Sequence, residues 1–181
     1  MSELAEKTIL LLRGGPGVGK SAIIRALASR VEKSTRLGFY TQPIFENNQR
    51  VGFSVCDFDG EAIRVADIKS DSTIRVGKFG IDMPTLDETF KRLLRPRANQ
   101  PIYLIDELGK LECKSNWFCQ FMEDLLLGPN LAVISAPLKG PDLLTKFISH
   151  PSVVNIRVNE QSAQQLLIEL SSWLDIKQLK S

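Results

Sequence analysis

The stretch Thr8-Ile9-Leu10-Leu11-Leu12-Arg13-Gly14-Gly15-Pro16-Gly17-Val18-Gly19-Lys20-Ser21 decides how this chain is read. Its last eight residues follow the order glycine, four arbitrary residues, glycine, lysine, serine or threonine, which is the spacing of a phosphate-binding P-loop. Glycines carry no Cβ, so consecutive backbone N–H groups can turn inward around an anion at the mouth of a helix whose dipole favours negative charge. Gly14, Gly15, Pro16, Gly17, Val18, Gly19, Lys20 and Ser21 are therefore expected to bind nucleotide phosphates. Lys20 is spaced to reach the β- and γ-phosphates, and the Ser21 hydroxyl to ligate a Mg²⁺ ion that bridges them. The flanks agree, because an apolar strand leads in and the amphipathic run 22–31 leads out.

A second apolar run, Ile102-Tyr103-Leu104-Ile105, ends in the adjacent carboxylates Asp106 and Glu107. Downstream of a P-loop, an Asp at the end of an apolar strand is suited to support the Mg²⁺ shell, usually through water. The Glu beside it is suited to orient and deprotonate the water that attacks the γ-phosphorus. Alone, the pair would be an ordinary polar strand exit; together with a P-loop, each motif needs the other.

Between and beyond these motifs the chain alternates in type. A helix is predicted over 20–33, with Ile23, Ile24, Leu27 and Val31 on its core-facing stripe, then a short strand over 38–41 and a polar loop over 42–49. Val51, Phe53 and Val55 alternate with smaller or polar residues, as do Ile63 and Val65 after the Asp59-Gly60 turn, which predicts a hairpin. Residues 75–80 form a basic, glycine-bearing loop, and Thr85 with Glu88 predicts a capping box opening a helix over 85–95 that Pro96 ends. A helix over 116–127, a strand over 131–136, a short helix from about Pro141, a strand over 153–158 and a closing helix over 162–174 follow. Such alternation around a P-loop on the first strand implies an α/β fold, a mostly parallel sheet with helices on both faces and an added β-hairpin.

At 181 residues with 43% hydrophobic content, the chain suits a single domain over 1–181. Its net charge of +2 offers no global field to gather nucleic acid or an anionic membrane, so nucleic acid is not the expected partner and any such binding would have to come from a local patch. The first seven residues lack both a basic n-region and an apolar h-region, and no apolar run reaches transmembrane length, which predicts a cytoplasmic protein without a membrane partner. Cys56, Cys113 and Cys119 are odd in number and form no Cys-x-x-Cys pair, so they read as free thiols; His150 reads as a surface loop residue. No heptad repeat or long exposed apolar segment calls for an assembly, and a monomer is expected.

Taken in order, the motifs identify a resemblance. The sequence resembles the small P-loop nucleoside-triphosphatases of the thermophile and cancer-related NTPase family over most of its length. The resemblance is carried by GGPGVGKS at Gly14 to Ser21, GFYT at Gly38 to Thr41 with RVGF at Arg50 to Phe53, RVGKF at Arg75 to Phe79, and IDELGKLE at Ile105 to Glu112. It implies the three-layer P-loop NTPase sandwich and Mg²⁺-dependent hydrolysis of ATP, GTP and other nucleoside triphosphates to diphosphate and phosphate, with loose base preference. By motif, Lys20 and Ser21 would bind phosphate and metal, Asp106 would support the metal, and Glu107 would be the general base. Lys110, Arg75 and Lys78 would be candidates to neutralise γ-phosphate charge in the transition state.

Two positions depart from the pattern. Gln42-Pro43 follows GFYT where relatives usually place a Glu, and Ser162-Ala163 stands where relatives often carry an Asn-Arg pair. Two other readings stand beside hydrolysis. One is a P-loop nucleotide or polynucleotide kinase, with the basic stretch Lys91 to Arg97 as lid or acceptor patch and Glu107 acting on an acceptor hydroxyl. The other is a nucleotide-gated binding module, although nothing resembles a guanine-selecting Asn-Lys-x-Asp loop.

Overall fold

Strand β1 (Ile9–Arg13) shows the architecture in four residues. Ile9, Leu10, Leu11 and Leu12 are all fully buried, as happens when successive side chains of a strand point to opposite faces and helices cover both. Ile9 and Leu11 enter one core and Leu10 and Leu12 another, so the sheet is the middle of three layers. The computed structural model describes residues 8–96 and 100–179.

In chain order, β1 is followed by α1 (Lys20–Ala28), β2 (Arg36–Glu46), β3 (Gln49–Cys56), β4 (Ala62–Asp67), β5 (Arg75–Val76) and β6 (Phe79–Ile81). Then come α2 (Met83–Leu94), β7 (Ile102–Asp106), a 3₁₀ turn (Glu112–Lys114), α3 (Asn116–Leu127), β8 (Leu131–Ala136), α4 (Asp142–Ser149), β9 (Val153–Arg157) and α5 (Ala163–Leu179). The sheet order is β5-β6-β4-β3-β2-β7-β8-β1-β9. From β2 to β9 the neighbours are parallel; from β2 to β5 they are antiparallel, which gives an α/β fold with a mixed sheet.

Phe90 of α2, Phe118 and Met122 of α3 and Phe147 of α4 pack with Phe39 and Ile105 on one face. Ile23, Ile24 and Leu27 of α1 and Leu170, Trp173 and Leu174 of α5 pack with Leu104 and Val133 on the other. Phe39, Phe90 and Phe118 form an aromatic cluster, with ring centroids 4.8 to 5.9 Å apart in the preferred tilted and edge geometries. The parallel register brings Tyr40 beside Asp106 and Arg13 beside Ala136. The P-loop leaves the sheet at that edge.

Several elements differ from the sequence reading. Residues 42–46 continue β2 as strand, and Asn47 and Asn48, at φ 48° and 61°, make the tight turn into β3. Both residues take the left-handed region that a two-residue hairpin needs and that Asn tolerates. The extension therefore holds two successive hairpins, β2–β3 and β3–β4, the second across the expected Asp59-Gly60 turn. Residues 75–81 form a third, small hairpin around Gly77 (φ 58°) rather than an open loop. Helix α2 starts two residues earlier than expected because Asp82, not Thr85, is its cap: the Thr85 amide donates to Asp82 Oδ1 at 3.1 Å. Helix α1 ends at Ala28 rather than near Lys33, with Val31 still buried, and α5 runs on to Leu179. Residues 1–7 and Arg97 of the basic stretch lie outside the described residues.

Candidate active site

The P-loop is seated from three sides. The Gly14 amide donates to the carbonyl of Ala136 at the end of β8 at 3.3 Å, and the Val158 amide donates to the Arg13 carbonyl at 2.7 Å. Gly17 and Gly19 adopt φ of 77° and 100°, backbone that side chains with a Cβ rarely adopt, and the chain enters α1 directly from Gly19. A Cβ on Gly14 would come within 2.7 Å of the Val158 carbonyl oxygen, so the turn after β9 packs against the loop. The Lys20 ammonium is buried and donates to the carbonyls of Gly14 and Gly15, at 3.0 and 2.8 Å.

Asp106 ends β7 and is 5% exposed. The Ser135 hydroxyl of β8 donates to its Oδ1. Glu107 follows, and burial raises its pKa above the usual carboxylate range; the Asp106 charge raises it further and Lys20 opposes both. Ser21, Thr41, Asp106, Glu107, Lys110 and Glu112 line one cavity of about 360 Å³. Its other wall is apolar, formed by Pro43, Phe53, Val76, Leu111 and Pro137, and Lys139 also lines it.

Ser21 and Asp106 supply a neutral hydroxyl oxygen and a carboxylate oxygen at this cavity, the hard donors that Mg²⁺ takes. Asp106 is buried yet hydrogen-bonded to a hydroxyl rather than to a cation, so its charge is available to a metal. Among the described residues no group of three or more His, Cys, Asp or Glu side chains is arranged to hold a metal. Two protein oxygens fit an ion that completes its shell with phosphates and water.

The basic residues separate. Lys110 lines the cavity. Arg75 instead turns its guanidinium onto the carbonyls of Ser70, Ser72 and Lys78, at 3.0, 3.1 and 2.5 Å, and holds the small hairpin whose Val76 reaches the cavity wall. The Lys78 ammonium lies 5.5 Å from the Phe79 ring centroid.

A family model described as NTPase matches residues 9–170. The chain belongs to the NTPase family. A relative named nucleoside-triphosphatase THEP1, from Thermotoga sp. (strain RQ2), is 31% identical over 166 residues, covering 91% of this chain and 94% of the relative. A cancer-related nucleoside-triphosphatase homolog of Bos taurus is 30% identical over 178 residues, covering 89% of this chain and 93% of its own. The crystal structure of THEP1 from the hyperthermophile Aquifex aeolicus shares the fold, with a TM-score of 0.76 at 24% identity over 92% of this chain and 98% of that one.

Around this cavity, the sequence motifs gave no role to Thr41, Glu112, Ser135 or Lys139. Glu112 stands in the IDELGKLE block and Thr41 ends GFYT, but neither belongs to the P-loop or to the acidic pair that closes β7. In the fold Glu112 is 2% exposed, and burial pushes its carboxyl up to about 7, against the lowering effect of a hydrogen bond from Thr41. Ser162 and Ala163 sit at the other flank of the loop. A Cβ on Gly19 would lie 3.1 Å from that of Ala163, and Ser162 lines a second cavity of about 440 Å³ with Arg157, Asn159, Gln161 and Gln165.

Proposed function

We propose that this chain is a single-domain, Mg²⁺-dependent nucleoside-triphosphatase that hydrolyses ATP, GTP and other nucleoside triphosphates to diphosphate and phosphate. The observation that carries the reading is Glu107: a carboxylate of raised pKa sharing one cavity with Ser21 and Asp106, with Lys20 close enough to oppose the shift. The P-loop amides and Lys20 bind the phosphate chain, and Ser21 with Asp106 hold Mg²⁺, which when bound offsets the charge on the γ-phosphate oxygens. Glu107 orients water toward the γ-phosphorus and takes its proton; a raised pKa makes it a better base than an exposed carboxylate. Lys110 faces the same space and adds positive charge there. Loose base preference accords with the polar cavity by Ser162, where Asn159, Gln161 and Gln165 can each donate or accept beside the side chains of Arg157 and Glu169.

Phosphate release from ATP, GTP, CTP and UTP with Mg²⁺ and no added acceptor tests this. Lys20→Ala should weaken nucleotide binding and turnover together, whereas Glu107→Gln should keep binding and lose on the order of 100-fold or more in kcat. Near-normal hydrolysis by Glu107→Gln sinks the assignment of the base. A phosphoryl acceptor other than water is a second reading, favoured by the apolar wall that Pro43, Phe53, Val76, Leu111 and Pro137 give the same cavity. Nucleotide binding without phosphate release would favour it.

A further inference from the structure

Glu112 is a nearly fully buried carboxylate, and the proposed chemistry gives it no part. It begins the 3₁₀ turn after the acidic pair, and the Thr41 hydroxyl donates to its Oε1 at 2.7 Å. An isolated buried carboxyl is costly, and a threonine hydroxyl offsets less of that cost than a cation would. What the arrangement achieves is visible on the Thr41 side. A hydroxyl has one proton and two lone pairs. With its proton committed to Glu112, the Thr41 oxygen is left purely as an acceptor, and either protonation state of the Glu112 carboxyl leaves an oxygen to receive that bond.

Thr41 lines the same cavity as Ser21, Asp106 and Glu107. The parallel ladder of β2 and β7 ends at the pair Tyr40 and Asp106, so Thr41 is the next residue along β2 and Glu107 the first residue past the end of β7. The Glu112 and Glu107 carboxyls also meet at Gly109: one point, where a Cβ on Gly109 would sit, is 2.8 Å from Glu112 Oε2 and 3.1 Å from Glu107 Oε1.

We propose that Glu112 is a positioning residue for the attacking nucleophile and acts through the Thr41 hydroxyl, whose oxygen is a second acceptor beside Glu107. The proposal rests on hydrolysis with Glu107 as base. Water has two protons; held by Glu107 on one and Thr41 on the other, it presents a lone pair to the γ-phosphorus. Its oxygen then bonds to phosphorus, the bond from the γ-phosphorus to the β–γ bridging oxygen breaks, the diphosphate leaves with that electron pair, and Glu107 receives one proton. The other proton stays on the phosphate formed. A single acceptor would let the water rotate about one hydrogen bond, and misplaced nucleophiles are costly in rate.

The test compares Thr41→Val, Thr41→Ser, Glu112→Gln, Glu112→Leu and the double variant Thr41→Val with Glu112→Leu. It reads kcat for phosphate release and the affinity for Mg²⁺ with the imido analogue of ATP. Thr41→Val should lose on the order of 10- to 100-fold in kcat, with analogue affinity within about twofold. Thr41→Ser restores the hydroxyl and should restore kcat, and Glu112→Gln keeps an oxygen for that hydroxyl and should stay within a few fold of wild type. Glu112→Leu should match Thr41→Val, and the double variant should be no worse than either, because the two act as one unit. Wild-type kcat in Thr41→Val, or a loss in Glu112→Leu that Thr41→Val does not share, overturns the proposal. If Glu112→Leu does not fold, Thr41→Val, a near-isosteric change on a strand, with its Ser rescue decides alone. Glu107→Gln is run alongside: near-normal activity there overturns the base assignment on which the proposal rests, whereas an impaired Glu107→Gln with wild-type kcat in Thr41→Val overturns the positioning alone.

Discussion

Gly109 has no side chain at a point that two carboxyl groups crowd, and the size of the residue there is therefore a functional matter. In Gly109→Ala the new methyl would meet Glu112 Oε2 at 2.8 Å and Glu107 Oε1 at 3.1 Å. Glu112 is buried and held by Thr41, whereas Glu107 is half-buried, so Glu107 is the side chain that gives way and the proposed base is displaced. Turnover should fall on the order of tenfold or more with the melting temperature nearly unchanged, which steady-state kinetics and a thermal melt would check together. Glu112 sets a second expectation. Its carboxyl is held at about 7 in the folded chain, up from the ordinary 4.5. Between those values the folded state keeps a proton that the unfolded chain has lost, so stability falls as pH rises through the window, by roughly 3 kcal/mol in all. Urea titrations without Mg²⁺ should show wild type losing ground to Glu112→Gln from about pH 4.5 to 7, and a constant gap above. At this scale the gathering of Ser21, Asp106 and Glu107 at one cavity near Lys20 was legible, because each stands in a motif of fixed spacing. Thr41 and Glu112 were not, because a hydrogen bond across 71 positions leaves no local pattern.

The elements show the same division. The apolar runs of β1, β7 and β8 read directly as buried strands, since both of their faces are covered. The outer half of β2 did not: Gln42 to Glu46 is half-exposed or exposed and includes Pro43, and only pairing with β3 makes it strand. The Asn47-Asn48 turn was a usable signal for that hairpin. The cap of α2 was misread for a related reason. Thr85 and Glu88 have capping-box spacing, but Asp82 accepts from both the Thr85 amide and its hydroxyl and takes the capping position first. Removing the carboxylate in Asp82→Ala should cost about 1 kcal/mol, while Glu88→Ala should cost close to nothing. Denaturant midpoints for the two variants separate the two caps.

Across the whole molecule, the two cores share one sheet, every strand of which is hydrogen-bonded to its neighbours. Unfolding of the single domain we propose should be one cooperative transition, coincident by fluorescence and far-UV circular dichroism. Mg²⁺ with a slowly hydrolysed nucleotide at 100 times its dissociation constant should stabilise the fold by roughly 2.7 kcal/mol and raise the melting temperature, and Lys20→Ala should lose most of that shift. The α/β class was legible from alternation alone, whereas strand order was not. No local pattern in the first strand says that its neighbours are β8 and β9.

That placement has a consequence for biosynthesis. The loop of Gly14 to Ser21 is synthesised well over a hundred residues ahead of the second of the two strands flanking β1, and also ahead of the Ala136 carbonyl that takes the Gly14 amide. At about 5–20 residues per second, the nascent polypeptide carries the motif for roughly ten seconds before the strands that seat it exist. A product interrupted before Leu131 has neither. Such fragments leave the loop unseated, so the nucleotide binding we propose should arise only once β8 and β9 have been made.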